Sequence, residues 1–265
     1  MQKSFQYQAA NIFYSVYGKG KPVILLHGFG EDSSIWNEQV IFLKEHCQLI
    51  VPDLPGSGGS SLLTPDFVSI ADYADCIHAL LTHENISSCI LLGHSMGGYI
   101  TLAFAEKYPS LLTAFGLIHS TAFADSEEKK KTREKSITLI EEYGSMAFLK
   151  NTIPNLFGAK FKSEHPGKVT ALVEAGAAFS KKALQQYTRA MMLRPDRTHV
   201  LLSNRLPVIF VIGTEDIAAP LADVIKQASL PNISYIHVLQ GIGHMGMWEA
   251  PEKLNQQLLT FLSEL

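Results

Sequence analysis

Short apolar runs and helical repeats of apolar residues alternate along most of this 265-residue chain. Five apolar runs have the length and flanking turn residues typical of strands buried in a parallel sheet, at residues 22–26, 49–51, 89–92, 114–118 and 207–212, and a further strand is predicted at residues 234–239. Between them, apolar residues recur three and four positions apart, as in residues 70–81, which predicts helices packed on the sheet. A weaker alternation over residues 4–17 predicts an edge hairpin that turns near Ala10-Asn11. The pattern therefore predicts an α/β domain whose mostly parallel sheet is covered by helices on both faces.

The alternation of strands and helices stops between residues 121 and 200. Two amphipathic segments occupy this stretch, with apolar residues at 137, 140, 143 and 147 in the first and at 184, 187 and 191 in the second. Between them, proline and glycine residues from Pro154 to Gly167 predict a loop. About 80 residues is too long for an ordinary connection. The sequence therefore predicts a helical insertion at residues 121–200 and a core domain formed by residues 1–120 and 201–265.

One serine lies in a glycine-flanked turn between a strand run and a helical segment. Residues 93–97, Gly-His-Ser-Met-Gly, match the pattern G-x-S-x-G, in which a sharp strand-to-helix turn exposes the serine hydroxyl at the top of a sheet. A side chain at position 93 or 97 would strike the neighbouring strand or helix, which accounts for the two glycines. Ser95 is therefore the candidate nucleophile. A glycine-rich turn in any α/β protein gives the same five residues, so the assignment depends on partners elsewhere in the chain.

Two residues suited to activate a serine follow the last two strand runs. The carboxyl ends of parallel strands meet at one edge of the sheet, so Asp216 and His244 are expected there together with Ser95. A histidine accepts the serine proton during attack near neutral pH, and an aspartate holds the imidazole in the required tautomer. Glu215 and Asp125 are alternative carboxylates for the second role.

Composition and charge narrow the classes of function. With 46% hydrophobic residues, 18% charged residues and a net charge of −3, the composition is that of an ordinary globular protein. It does not indicate a nucleic-acid or membrane partner. The first residues lack the apolar core of a signal peptide, and three scattered cysteines predict buried thiols in a reducing, cytoplasmic setting. Neither a metal-ligand spacing nor a phosphate-binding Gly-Lys-Ser/Thr motif occurs, so no metal or cofactor is expected.

These motifs resemble those of the α/β-hydrolase superfamily over nearly the whole chain. The resemblance rests on the order Ser, Asp, His and on five segments: His27-Gly28-Phe29-Gly30, residues 53–60, Gly93–Gly98, Gly213-x-x-Asp216-x-x-x-Pro220, and Gly243-His244 before Pro251-Glu252. It implies the α/β-hydrolase fold, with a mostly parallel eight-stranded sheet, helices on both faces and a helical lid insertion. It also implies an oxyanion hole formed by the backbone N–H groups of Phe29 and Met96, and structural roles for His27 and His94. Ser57 departs from the pattern, because relatives often carry histidine there, but this turn lies outside the triad.

The resemblance indicates a serine hydrolase that cleaves carboxylic esters through an acyl-enzyme intermediate. Haloalkane dehalogenases and epoxide hydrolases of this fold carry aspartate at the position of Ser95, which argues against both reactions here. Hydroxynitrile lyases, cofactor-free haloperoxidases and C–C bond hydrolases keep the serine and stay open as alternatives. A small-molecule receptor also stays open, since receptors on this fold can keep the triad. The physiological substrate, the acyl chain preference and the oligomeric state do not follow from the sequence.

The predicted insertion is expected to cover Ser95 as a lid and to shape the substrate pocket. Its apolar side chains supply these candidate lining residues: Phe123, Phe148, Leu156, Phe157, Tyr187, Met191 and Met192. An apolar pocket favours esters of aliphatic or aromatic acids. The insertion is also basic, with 14 Lys and Arg against 9 Asp and Glu, which suits an anionic partner or simply a solvated surface. Methyl-ester esterases acting on pimeloyl-acyl-carrier protein resemble this chain in size, motifs and basic lid, so an acidic acyl carrier protein is an alternative to a small-molecule ester.

Overall fold

The computed structural model describes residues 1–64 and 67–265, which are built on one eight-stranded sheet. Its strands are β1 (Gln2–Tyr7), β2 (Ala10–Tyr17), β3 (Pro22–Leu26), β4 (Gln48–Pro52), β5 (Cys89–His94), β6 (Leu112–Ile118), β7 (Val208–Gly213) and β8 (Ser234–Leu239). They lie in the order β1-β2-β4-β3-β5-β6-β7-β8. β2 pairs antiparallel with β1 and β4, and the remaining pairings are parallel. The mostly parallel sheet expected from the sequence is confirmed.

Helices cover both faces of this sheet. The helices of the structure, in chain order, are α1 (Asn37–Leu43), α2 (Ile70–His83), α3 (Met96–Lys107), α4 (Glu127–Thr152), α5 (Ala159–Glu164), α6 (Pro166–Ala175), α7 (Lys181–Met192), α8 (Thr198–Ser203), α9 (Leu221–Ala228), α10 (Gly246–Glu249) and α11 (Pro251–Ser263). α1 packs with α11, and α2 packs with α3. Every residue of β5 and of β7 is buried, as the unbroken apolar runs predict for strands covered on both sides.

The N-terminal hairpin turns two residues earlier than its pattern predicts. Tyr7 pairs with Ala10, so Gln8 and Ala9 form the turn in place of Ala10-Asn11. Gln8 has a φ of 53°, a left-handed conformation for which glycine or asparagine is the usual signal. Because neither residue type stands at position 8, the sequence does not mark this turn.

The stretch between β6 and β7 contains α4 to α8. α4 is interrupted at Gly144, whose φ is 88°. Tyr143 before this kink is exposed, and Leu149 after it is buried. The loop expected from Pro154 to Gly167 is wrong for much of its length, since a 3₁₀ helix (Ile153–Leu156), α5 and the start of α6 occupy it. Proline is tolerated in the first turn of a helix because that N–H has no helical acceptor, and both prolines stand there.

Two broader expectations concern the cysteines and the membrane. The thiols of Cys47, Cys76 and Cys89 are buried and free, as the scattered spacing predicts. Within the ranges that the structure describes, no helix combines the length and apolar character needed to cross a bilayer.

Candidate active site

The serine in the glycine-rich turn has strained backbone geometry. Ser95 joins β5 to α3 with φ 52° and ψ −115°, a region that residues other than glycine rarely occupy. Its N–H donates to the Ile118 carbonyl at 3.1 Å, and its own carbonyl accepts from Ser120 Oγ at 2.7 Å. The end of β6 and the residues after it therefore hold the strained turn in place.

Two glycines let this turn pack against its neighbours. A Cβ at Gly93 would lie 2.2 Å from the carbonyl oxygen of Gly97. A Cβ at Gly97 would lie 2.6 Å from the carbonyl oxygen of Leu26. Both obstacles are backbone atoms, which cannot rotate away as a side chain can. The steric reason given for these glycines from the sequence is confirmed.

The imidazole of His244 is hydrogen-bonded to the carboxylate of Asp216 beyond the ends of β7 and β8. His244 Nδ1 donates to Asp216 Oδ2 at 2.8 Å, and both side chains are buried. Burial opposes protonation of the ring, but the adjacent carboxylate outweighs it and raises the pKa of His244 above its usual value. Burial alone would raise the pKa of Asp216, yet the neighbouring imidazoles hold it well below its usual range. Because Nδ1 carries the donated proton, Nε2 is the basic nitrogen.

A second histidine shares the same carboxylate oxygen. His119 Nδ1 donates to Asp216 Oδ2 at 3.1 Å, and burial lowers the pKa of His119. In the described part of the chain, His119 Nε2 is buried without a hydrogen-bond partner. The other oxygen, Asp216 Oδ1, accepts the N–H groups of Ala218 and Ala219 at 2.9 and 2.8 Å. Both carboxylate oxygens are therefore held in fixed positions.

The two alternative carboxylates have other partners. Glu215 Oε2 accepts the N–H of Ala159 at 2.7 Å. Asp125 lies between the guanidinium groups of Arg133 and Arg194. Burial would raise the pKa of Asp125, but the two cations outweigh it and lower that pKa. Across residues 1–64 and 67–265, neither carboxylate accepts a hydrogen bond from an imidazole, so Asp216 is the one placed to orient His244.

A buried pair of Glu31 and His94 supports the loop that carries His244. Glu31 Oε2 lies 2.9 Å from His94 Nδ1 and accepts the Gly28 N–H at 2.8 Å. His94 Nε2 donates to the His244 carbonyl at 2.9 Å. Burial would raise the pKa of Glu31, but His94 and the Gly28 N–H outweigh it and lower that pKa. The structural role expected for His94 therefore consists of fixing the backbone beside the imidazole of His244.

His27 and Ser57 connect two loops at the same sheet edge. His27 Nε2 accepts the Leu54 N–H at 2.9 Å and lies 2.8 Å from Ser57 Oγ. The Ser57 hydroxyl also donates to the Leu54 carbonyl at 2.8 Å. His27 Nδ1 donates to the Gly28 carbonyl at 2.9 Å. Both side chains thus serve loop structure, as the sequence predicts for His27.

Glu249 fixes the His244 loop and joins it to the residues after α4. Its carboxylate accepts the N–H of Met245 at 3.1 Å and the N–H of Gly158 at 2.9 Å. The His244 N–H donates to the Leu156 carbonyl at 2.6 Å. Burial raises the pKa of Glu249. The backbone after α4 is therefore part of the support of His244.

Ser95 and His244 line one cavity of about 220 Å³. Its apolar wall includes Phe29, while its polar wall is the face of α4 that carries Lys129 and Arg133. No described residue forms a hydrogen bond with Ser95 Oγ. In proteins without bound substrate, the distance between a nucleophile and its base is often longer than a hydrogen bond. The volume lies below the roughly 300–1,000 Å³ of sites for drug-sized ligands, so the cavity suits a small substrate.

Three of the seven lining residues expected from the helical segment border this cavity. Those three are Phe148, Leu156 and Met191. The four that lie outside it are Phe123, Phe157, Tyr187 and Met192. Phe157 stacks on Phe161 with ring centroids 5.3 Å apart, and the Tyr187 hydroxyl donates to the Pro55 carbonyl at 2.8 Å. The expected positions of these four are corrected because helical spacing of apolar residues does not distinguish a core face from a pocket face.

Two backbone N–H groups near Ser95 have no protein acceptor in the described ranges. Met96 is the first residue of α3, and Phe29 lies in the loop after β3. Neither N–H donates to a backbone or side-chain acceptor there. Free N–H groups at the start of a helix favour negative charge, so this position suits an oxyanion.

The cluster of His119, Asp216 and His244 contains residue types that ligate metals. One ligand atom from each lies within 4.8 Å of the others. Both imidazole Nδ1–H groups, however, donate to the same carboxylate oxygen, so these atoms already partner one another. The arrangement therefore fits an oriented imidazole that accepts a proton at Nε2.

The sequence reasoning missed the polar wall of the cavity and the second histidine. The polar wall follows the spacing i, i+3, i+4 and i+7 on α4, with Lys129, Thr132, Arg133 and Ser136. Residues at that spacing lie on one face of a helix, and here the residues are polar, so the sequence could have predicted a polar helix face. His119 follows β6 directly. Like Asp216, it could have been recognised as a polar residue just after the carboxyl end of a parallel strand.

The chain resembles known α/β hydrolases in sequence and in structure. A family model described as the alpha/beta hydrolase fold matches residues 21–143. A thermophilic esterase from Thermogutta terrifontis, determined with malate bound, superimposes with a TM-score of 0.94 and 26% identity, covering 100% of this chain and 98% of the esterase. The chain has the α/β-hydrolase fold, which it shares with this esterase.

Relatives of this hydrolase include an enzyme and a receptor. It is 24% identical to (E)-2-((N-methylformamido)methylene)succinate hydrolase of Acinetobacter baylyi, over 94% of this chain and 93% of that protein. It is 28% identical to karrikin insensitive 2 receptor IA of Petunia hybrida, over 95% of this chain and 94% of the receptor. The esterase and hydrolase relationships identify the chain as an α/β-hydrolase enzyme.

Proposed function

We propose that the hydrolase cleaves carboxylic esters through an acyl-enzyme formed on Ser95. In this proposal His244 moves the proton, Asp216 orients His244, and the N–H groups of Phe29 and Met96 bind the oxyanion. The observation that carries the proposal is the 2.8 Å hydrogen bond from His244 Nδ1 to the buried Asp216 carboxylate, on a cavity that also holds the strained Ser95.

The proposed reaction has two halves that use the same groups. Ser95 Oγ attacks the ester carbonyl while His244 Nε2 accepts its proton, and the oxyanion forms at the Phe29 and Met96 N–H groups. Each such donor contributes about 3–4 kcal/mol to stabilising the transition state. The imidazolium then protonates the departing alcohol, and the C–O bond to it breaks. Water, deprotonated by His244 Nε2, then attacks the acyl-enzyme. The bond between the acyl carbon and Ser95 Oγ breaks, and the imidazolium returns the proton to Oγ, which gives the carboxylic acid and free Ser95.

We propose a lid role for residues 121–200 on a core formed by residues 1–120 and 201–265. The support is that α4 and the residues after it contribute Lys129, Phe148 and Leu156 to the cavity that holds Ser95. A lid that excludes water strengthens the electrostatic interactions within the site.

A receptor function is the second candidate, favoured by the 28% identity to the receptor from Petunia hybrida. In that case a small molecule would occupy the cavity and a change in the helical segment would report its presence. Multiple turnover distinguishes the two functions, because an enzyme releases product and repeats the cycle. A single slow turnover, or binding without hydrolysis, would support the receptor.

A fluorophosphonate probe tests the proposed nucleophile. The probe is expected to form one covalent adduct per chain, mapped to Ser95 by peptide mass spectrometry, because only a serine activated by a base reacts rapidly. The same preparation is expected to hydrolyse p-nitrophenyl butyrate through many turnovers. Protein that is heat-denatured before the probe is added is the control, since an adduct that still forms on unfolded protein does not depend on the site. An adduct mapped to a different serine would contradict the proposal.

The pH dependence of kcat/KM tests the proposed base. His244 must be neutral to accept a proton, and its pKa is raised from the ordinary 6.5. Activity toward the non-ionising substrate p-nitrophenyl butyrate is therefore expected to fall, as the pH is lowered, through a midpoint above 6.5. Steady-state rates between pH 5 and 9 locate this midpoint, with circular dichroism to show that the fold persists. An acid limb centred below 6.5 would contradict the assignment of His244 as this base.

A further inference from the structure

The polar face of α4 brings two cations to the cavity that holds Ser95. Lys129 and Arg133 line it together with the hydroxyls of Thr132 and Ser136. A plain aliphatic acyl group in this space would place methylene groups against ammonium and guanidinium groups and remove water from them. Desolvation of charged groups without a partner is costly, so this wall is unsuited to a purely apolar substrate.

Lys129 has a neutral protein partner and spare donors. Its ammonium donates to the Ala218 carbonyl at 3.1 Å, and no described carboxylate pairs with it. An ammonium carries three donors, so this bond leaves donors available to a ligand. Beside the effects of burial and Asp216, the charge of Lys129 also acts on the pKa of His244 by opposing protonation. The positive charge is therefore near the groups proposed to react.

Arg133 and its neighbours keep an excess of positive charge on this wall. Arg133 uses Nε to pair with Asp125, which leaves its terminal nitrogens without a described protein acceptor. Asp125 also pairs with Arg194 Nη1 at 2.8 Å. Arg194 in turn stacks on Tyr99, another lining residue, with Cζ 3.9 Å from the ring centroid. One carboxylate thus serves two guanidinium groups and cannot neutralise both.

The acidic side chain at the cavity, Glu31, is already paired. Its Oε2 contacts His94 Nδ1 at 2.9 Å and the Gly28 N–H at 2.8 Å. Both Glu31 and Ser95 lie 3.0 Å from the point where a Cβ on Gly28 would stand. Glu31 therefore sits at the Ser95 end of the cavity, and among the described contacts it pairs with neither Lys129 nor Arg133.

We infer that the substrate carries a carboxylate, which Lys129 and Arg133 bind while Ser95 attacks an ester bond elsewhere in the same molecule. This inference rests on the proposed ester hydrolysis. A cavity of about 220 Å³ holds roughly seven water-sized groups, so the class is half-esters of short dicarboxylic acids. A carrier protein would instead engage cations at the surface, such as the exposed Lys131, whereas Lys129 is half-buried on the cavity wall.

The test compares monoethyl glutarate with diethyl glutarate, two substrates with the same acyl chain that differ in one negative charge. The wild-type hydrolase is expected to show a higher kcat/KM for the half-ester. Lys129→Met is expected to lower the half-ester to diester ratio of kcat/KM by at least about tenfold, because a partly buried charge pair is lost. Lys129→Arg keeps the charge and is expected to retain the ratio within about threefold. Lys131→Met, on the exposed side of the same helix, is the matched control and is expected to change neither kcat/KM by more than about twofold.

Each outcome of this test has a distinct meaning. An unchanged ratio in Lys129→Met would overturn the carboxylate inference and leave ester hydrolysis intact. A fall in the ratio that Lys131→Met shares would overturn it in favour of a general effect of surface charge. If the wild type labels at Ser95 and cleaves p-nitrophenyl butyrate but neither glutarate ester, the substrate class is wrong. If it neither labels nor cleaves any ester, the proposed function itself fails. Melting temperatures of all variants show that changes in the ratio do not reflect unfolding.

Discussion

Replacement of Ser95 by alanine is expected to lower kcat for p-nitrophenyl butyrate by about 10⁴- to 10⁶-fold. The substitution removes the atom proposed to form the acyl-enzyme, and the remaining N–H donors stabilise only an uncatalysed attack by water. Alanine has a Cβ as serine does, so the backbone strain at a φ of 52° is unchanged. The melting temperature is therefore expected to stay within about 3 °C of the wild type. Initial rates at saturating substrate and thermal denaturation provide the two measurements.

Ser110→Ala is the matched control for this experiment. Ser110 is exposed in the 3₁₀ helix Pro109–Leu111 and does not border the cavity that holds Ser95. Its substitution is expected to leave kcat within about twofold of the wild type, because surface changes of this kind have small effects. Retention of more than a tenth of the wild-type kcat by Ser95→Ala would falsify the nucleophile assignment.

Asp216→Asn is expected to lower kcat by about 10⁴-fold through the wrong imidazole tautomer. Asp216 Oδ1 accepts the N–H groups of Ala218 and Ala219, so the asparagine carbonyl oxygen is expected to take that position. Its NH₂ group then faces His244 Nδ1, which must become an acceptor. The ring consequently carries its proton on Nε2 and cannot accept one from Ser95. Steady-state kinetics measure the loss, and nitrogen chemical shifts of the imidazole report the tautomer.

Glu215→Gln supplies the matched control, because it makes the same chemical change in the adjacent residue. The glutamine carbonyl can still accept the Ala159 N–H that Glu215 accepts at 2.7 Å. Activity is therefore expected to fall by less than about fivefold. Comparable losses in the two variants would show that Asp216 has no special role in orienting His244. A normal tautomer in Asp216→Asn would likewise contradict the explanation.

The sheet and the placement of the chemical groups were predictable because each had a short-range signal. Unbroken apolar runs predicted β5 and β7, since strands covered on both faces have no polar side. The rule that parallel strands end at one edge then placed Asp216 and His244 together, and they form a 2.8 Å hydrogen bond. The glycines at positions 93 and 97 could be explained from the sequence because a sharp turn leaves no room for a side chain there, and backbone atoms do exclude one in the structure.

Other features depend on contacts that the sequence does not express locally. The hairpin turn at Gln8 carries no glycine or asparagine, so its left-handed conformation was unmarked. Pro154 and Pro166 stand in the first turns of helices, although proline is more often a sign of a loop. Tyr187 has the spacing of a lining residue, but its hydroxyl donates to the Pro55 carbonyl in the loop after β4, and the residue does not border the cavity.

The connection between the residues after α4 and the His244 loop limits how substrate specificity can be re-engineered. The Leu156 carbonyl accepts the His244 N–H at 2.6 Å, and Glu249 bridges the N–H groups of Gly158 and Gly243. A chimaera that receives its entire helical segment from another hydrolase would lose these anchors and release the imidazole from its position. Grafts should therefore preserve the native backbone from Leu156 to Gly158 and exchange only the flanking helices.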